Sequence, residues 1–150
     1  MCGIFGGSFK RPIDAEILAK LKTLGLINQS RGEDSCGYFN DKEIFKGVDD
    51  KKKFMDLVTK EGIHLPDFGE QSPNNVFIGH VRKASMGSTN KENAHPHLIN
   101  DHMILVHNGT IRDVWTFARK HGVETKSIFS DSITIGLLID KEGYKILTEY

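Results

Sequence analysis

The sequence is short of the features that would place it outside an ordinary soluble fold. It has two cysteines in 150 residues. Two thiols, one of them at the amino terminus, make a poor disulfide framework, so a reducing cytoplasm is the expected compartment. It has no surplus of charge: 20 Lys and Arg balance 20 Asp and Glu. No global field therefore directs it to nucleic acid or to an anionic membrane. No apolar run approaches the roughly 20 residues that a membrane helix needs, and no export signal precedes Cys2. Prolines number four, and two of them, Pro66 and Pro73, fall in 62–75. That stretch reads as an irregular surface connection. There is no internal repeat and no low-complexity tract. What remains, 38% hydrophobic and 27% charged residues, describes one globular domain. A chain of this length buries roughly 68–70% of its unfolded surface.

Read in order, the chain mixes strands with helices. Ile4 and Phe5, set between Gly3 and Gly6, read as a short buried strand. Asp14 caps a helix whose apolar face is Ile17, Leu18, Leu21 and Leu24, with Gly25 as its stop. The polar turn Arg31 to Gly37 leads into a strand at Tyr38 and Phe39. Asn40-Asp41-Lys42 then turns the chain into a second strand over 43–48. A short helix is expected over 49–60, with Phe54, Leu57 and Val58 inward. The run Val76 to Gly79 is a buried strand that delivers His80, Val81 and Arg82, followed by a polar loop over 85–93. Met103 to Val106 is another strand, ending at His107-Asn108-Gly109. Helices follow at 114–120, stopped by Gly122, and from Ser130-Asp131, with Ile133, Leu137 and Leu138 at helical spacing. The pattern says α+β or α/β; periodicity alone does not choose the topology.

Several clusters carry chemistry. A cysteine directly after Met1 becomes the first residue once that methionine is removed. It then bears a thiol, whose free form ionises near about 8.5, and an α-amine that is a base within reach of it. The alternative is an incidental small residue. Asn108 and Gly109 after a buried strand can donate an amide and a backbone N–H to a developing oxyanion, or make a plain tight turn. Arg82 can take a carboxylate in a bidentate fork, or form a surface ion pair. Asp131 can face a ligand's ammonium, or cap a helix. His95, His97, His102 and His107 crowd one region, yet their spacing fits no familiar zinc pattern. Loop hydrogen bonds suit them better, and Cys36 reads as a small buried residue.

Together these segments resemble the class II glutamine amidotransferases, a family of N-terminal-nucleophile hydrolases. The resemblance rests on Cys2-Gly3-Ile4-Phe5-Gly6, Arg31-Gly32-Glu33-Asp34-Ser35, Gly79-His80-Val81-Arg82-Lys83-Ala84, Asn93-Ala94-His95-Pro96-His97, His107-Asn108-Gly109-Thr110-Ile111 and Ser130-Asp131. The long Asn-Ala-His-Pro-His segment is more similar to the sugar-phosphate and phosphoribosyl branch, that of glucosamine-6-phosphate synthase and amidophosphoribosyltransferase, than to asparagine synthetase. The resemblance implies a four-layer αββα sandwich of two antiparallel sheets. It implies hydrolysis of the glutamine side-chain amide to glutamate and ammonia through a cysteine thioester, with no cofactor. By position, Cys2 is the nucleophile, and Asn108 and Gly109 form the oxyanion hole. Arg82, Asp131, Ser85 and His97 bind L-glutamine, and Arg31 and Gly32 support the terminus.

Some positions depart from that branch. Lys83 stands for a usual Trp, Ser85 and Met86 for Thr and His, and Asp113 for a commoner Asn. Family glutaminase domains usually continue past the Ser-Asp helix, and no synthase domain follows within the 150 residues. The expectation is a glutaminase domain over 1–150, either truncated or serving a separate acceptor enzyme. A catalytically silent subunit that binds glutamine or a partner protein is the alternative.

Overall fold

A computed structural model describes residues 2–41, 43–48, 75–85, 88–126 and 129–149. The fold is α+β. A four-stranded antiparallel sheet holds β1 (Gly3–Ser8), β2 (Ser35–Phe39), β3 (Ile44–Val48) and β4 (Val76–Arg82) in the order β1-β4-β2-β3. A second sheet pairs β5 (His97–Asn100) with β6 (Met103–Leu105), also antiparallel. The helices are α1 (Ala15–Gln29), α2 (Val114–Lys120) and α3 (Asp131–Glu142), with a 3₁₀ turn at Tyr144–Thr148. The helix expected over 49–60, most of the 62–75 connection, Lys42 and Met86 lie outside the described residues.

The two faces of the large sheet differ because strand residues alternate. Phe5, Cys36, Tyr38, Phe77 and Val81 point to one face and close a core with Ile13, Ile17 and Leu21 around α1. Burying side chains of this size contributes about 1.5–3 kcal/mol each. The opposite face carries His80 and Arg82, both buried polar residues, and Gly37 opposite His80. A Cβ on Gly37 would strike the backbone oxygens of His95 and Phe45. A glycine there lets the 94–97 segment lie directly on the sheet.

Beyond that segment, Met103 and Leu105 of β6 pack on a second core of Val114, Ala118, Ile135, Leu138 and Ile139 from α2 and α3. Gly136 of α3 sits against Ile99 and Leu105. Each sheet therefore has its own helical cover, and a polar layer lies where His80 meets the His95 segment.

Several local expectations change. α1 runs through Gly25 to Gln29. Gly25 continues the buried face of Ile17 and Leu21 at four-residue steps, so its missing side chain serves packing and not termination. Leu24 turns outward at 42% exposure. In α3 the buried apolar face is Ile135, Leu138 and Ile139, while Ile133 and Leu137 are half-buried. β4 extends through Arg82, which closes the strand where it was expected just past it. β5 has no counterpart among the strands expected from the sequence. Its polar start gives no alternation, and its pairing with β6 is long-range information.

Candidate active site

The site is built where β1 and β4 end side by side. Gly3 pairs with Val81, so Cys2 arrives beside the end of β4. The Lys83 backbone N–H donates to the Cys2 thiol sulfur at 3.3 Å, and the thiol in turn reaches the Lys83 carbonyl at 3.4 Å. The Cys2 carbonyl accepts two side-chain bonds, from Arg31 Nε at 3.1 Å and from Asn108 Nδ2 at 2.9 Å. Residues 29 and 106 positions away thus hold one peptide group in place.

The turn after α1 supports this end. Gly32 is buried against the end of β4: a Cβ there would sit 2.5 Å from the Arg82 carbonyl carbon and 2.8 Å from the Lys83 nitrogen. Only a glycine allows that approach. Asp34 then clamps the same segment. Its backbone N–H donates to the Arg82 carbonyl at 3.0 Å, and its carboxylate accepts the Ala84 N–H at 2.7 Å. Lys83 Nζ lies 3.4 Å from the other carboxylate oxygen. That contact is partly exposed and adds little; the backbone bonds do the fixing. The sequence does not reveal this role of Asp34, because an acidic residue in a polar turn carries no signal of what its carboxylate accepts.

Arg82 is 4% exposed and places Nη1 3.4 Å from the Ser88 carbonyl. Burial lowers the pKa of its guanidinium, while Cys2, Asp131 and Asp34 act in the opposite sense. The cation is thus within electrostatic reach of both the thiol and the Asp131 carboxylate. Asp131, also 4% exposed, opens α3 just after the Ser130 cap. Its Oδ2 accepts the Ile111 N–H at 2.8 Å and its Oδ1 accepts the Ser132 N–H at 3.0 Å. It is a positioned carboxylate that ties α3 to the loop carrying Asn108 and Gly109. Asn93 fixes the same corner, accepting the Ser130 N–H at 2.9 Å.

The loop is anchored from beneath as well. His80 Nε2 lies 3.1 Å from the His107 carbonyl, an acceptor, so Nε2 carries the proton. His107 Nδ1 lies 3.0 Å from Ser132 Oγ. Ser85 Oγ lies 3.1 Å from Thr110 Oγ1 across the mouth. Asn108, Gly109 and Thr110 are exposed above this base.

His97 is set apart from that group. Its ring packs against that of His95, tilted by 57° at 4.2 Å between centroids, and His95 packs against His80, tilted by 39° at 4.0 Å. Burial pushes the His80 pKa down to about 4 and the His97 pKa down to about 3. Burial lowers His95 further, with the other histidines adding to it. Of the four histidines expected to make loop hydrogen bonds, His107 makes a ring bond, to Ser132, whereas both ring nitrogens of His95 and Nε2 of His97 are buried without a hydrogen-bond partner among the described residues. The stack is a neutral packing layer between the sheets. Asp113 adopts a left-handed φ of 55° as the residue before α2, a conformation that Asp and Asn tolerate best after glycine.

The family model for class-II glutamine amidotransferases matches residues 49–126. Glutamine–fructose-6-phosphate aminotransferase (isomerizing) from Idiomarina loihiensis is 34% identical over 75% of the chain, covering 17% of that protein. The proteins of the same name from Listeria innocua and Streptococcus pyogenes are each 31% identical, over 99% and 100% of the chain and 24% of their own lengths. The chain belongs to the class-II glutamine amidotransferases. It spans between about a sixth and a quarter of the length of these relatives. The family match covers Arg82, Asn108 and Gly109; Cys2 and Asp131 fall outside it and inside the alignment that covers the whole chain.

Proposed function

We propose that the chain hydrolyses the side-chain amide of L-glutamine at Cys2 and delivers the ammonia to an acceptor domain or partner. The single observation that carries this reading is the fixing of Cys2. Its carbonyl is held by Arg31 and Asn108 while its thiol meets the Lys83 N–H, with Arg82 and Asp131 on the adjoining strand and helix ends. With Met1 removed, the α-amine accepts the thiol proton as sulfur bonds to the amide carbon. The carbonyl oxygen becomes an oxyanion, to which Asn108 Nδ2 and the Gly109 N–H donate. The proton passes to the departing nitrogen, the C–N bond breaks, and ammonia leaves a glutamyl thioester. Water then attacks that carbon, and glutamate and the thiol are restored.

Arg82 receives the α-carboxylate and Asp131 the α-ammonium, so both charges of a free amino acid are read. Ser85, bonded to Thr110, lines the mouth, and Arg31 and Gly32 keep the terminus in register. His97 serves this site through the stack that carries His80. The polar layer between two sheets, each backed by helices, is the arrangement expected of a four-layer αββα sandwich. The names of the relatives suggest fructose 6-phosphate as the acceptor of that ammonia.

The direct test is steady-state glutamate release with Cys2→Ala and Arg82→Ala variants. Cys2→Ala is expected to abolish turnover. Arg82→Ala is expected to raise KM strongly. Turnover by Cys2→Ala would remove the nucleophile assignment, and an unchanged KM in Arg82→Ala would remove the carboxylate assignment.

A further inference from the structure

A groove of about 540 Å³ opens at the outer edge of the large sheet, and His97 is its one lining residue that also belongs to the histidine layer beneath the Cys2 site. Its volume falls in the range of small-molecule pockets, about 300–1,000 Å³. Ile44 and Lys46 of β3 form one side, Ile99 of β5 and Ile133 of α3 the other, with His97 and Lys91 along the length. The walls are mainly aliphatic. The exceptions are His97 and three charged side chains, Lys46 and the exposed Lys91 and Glu92, so the lining carries one positive charge in excess and its single carboxylate makes no ion pair with either lysine among the described residues.

Lys46 is only partly exposed. Burial lowers its pKa to about 8, Lys91 pushes in the same direction, and Glu92 opposes them. Among the described residues neither Lys46 nor Lys91 has a carboxylate within ion-pair distance. A lysine is seldom buried without a partner, because its ammonium loses hydration with nothing in exchange. Here two ammonium groups of like sign share one apolar groove. His97, 3% exposed, adds a neutral imidazole with an unbonded Nε2. An anion seated between the lysines would relieve both the desolvation and the repulsion. A metal cation would worsen both. Two lysines in a chain without net charge are too few for a nucleic acid backbone.

We propose that this groove is a second ligand site, taking a small organic anion: a carboxylate or phosphate on an aliphatic body, with Lys46 as its counter-charge. The apolar body lies along Ile44, Ile99 and Ile133. Lys91 closes over the anionic end from the exposed side, and His97 offers its ring nitrogen from beneath. The site is independent of glutamine hydrolysis and stands if that reading fails.

The test follows isoleucine methyl resonances of the whole chain by NMR during titration with octanoate and, separately, with inorganic phosphate. Saturable shifts of the Ile44, Ile99 and Ile133 methyls are expected with at least one probe. Saturation by octanoate would identify a carboxylate with an apolar tail as sufficient; saturation by inorganic phosphate would identify the phosphoryl group. Lys46→Met is expected to weaken the binding at least about tenfold, equivalent to about 1.4 kcal/mol. Lys46→Arg, which keeps the charge, is expected to retain most of it. Failure of both probes to saturate would overturn the site, as would equal binding by Lys46→Met with the spectrum of a folded protein.

Discussion

The side-chain amide of Asn108 donates to the backbone carbonyl of Cys2 at 2.9 Å, so the proposed oxyanion donor and the peptide group of the proposed nucleophile are tied to each other. An amide nitrogen has two protons. One is committed to Cys2, and in the proposed mechanism the other is the one that meets the substrate oxygen. Pre-orientation of this kind matters because a donor that need not reorganise stabilises developing charge most.

Asn108→Ala removes both bonds. Its kcat for glutamine hydrolysis is expected to fall by about 10²–10³, with KM changed much less. Steady-state kinetics check this. A large rise in KM at nearly constant kcat would place Asn108 in ground-state binding instead.

Gly32→Ala tests the turn beneath the nucleophile. The new Cβ would sit 2.5 Å from the Arg82 carbonyl carbon, and backbone cannot move aside as a side-chain tip can. The expected result is a loss of about 1–3 kcal/mol in unfolding free energy, together with slower alkylation of Cys2. Chemical denaturation and thiol labelling measure the two effects.

Asp131→Asn separates architecture from binding. The carboxylate accepts two backbone N–H bonds, and an amide oxygen can keep only one of them well. Stability is expected to drop by about 1–3 kcal/mol and KM for glutamine to rise. Full stability with a raised KM would confine Asp131 to the substrate.

The histidine layer sets an acid limit. His80 and His97 are held near about 4 and about 3 in the folded protein, against 6.5 for a free histidine. Between those values the unfolded chain binds more protons than the folded one, so stability rises with pH. It is therefore fully present above pH 6.5 and lost on acidification toward pH 4. Each histidine contributes a slope of about 1.4 kcal/mol per pH unit through that window. Denaturant midpoints across the window check this, and a flat profile would mean that the rings are not buried neutral.

Much of this could be read from the residues, and the misses share a cause. The opening strand, the helix at 114–120 and the cap at Ser130 come from local spacing and capping chemistry, which the sequence displays directly. Gly25 misled because a glycine at a packed face and a glycine at a helix stop look the same in one dimension. β5 and the stack of His80, His95 and His97 depend on partners far along the chain. Asp34 and Ser132 act through backbone N–H groups or another residue's ring, so their type gives no hint of their contacts. The expectations for 49–60 and Met86 fall outside the described residues.

The most direct measurement is the mass of the protein and its peptides after treatment with a diazo-ketone analogue of glutamine. Loss of Met1 together with a single adduct on Cys2, suppressed by glutamine, is the expected result. A Met1-free protein that stays unlabelled at Cys2, or is labelled only at the buried Cys36, would contradict a glutamine-reading nucleophile at the amino terminus.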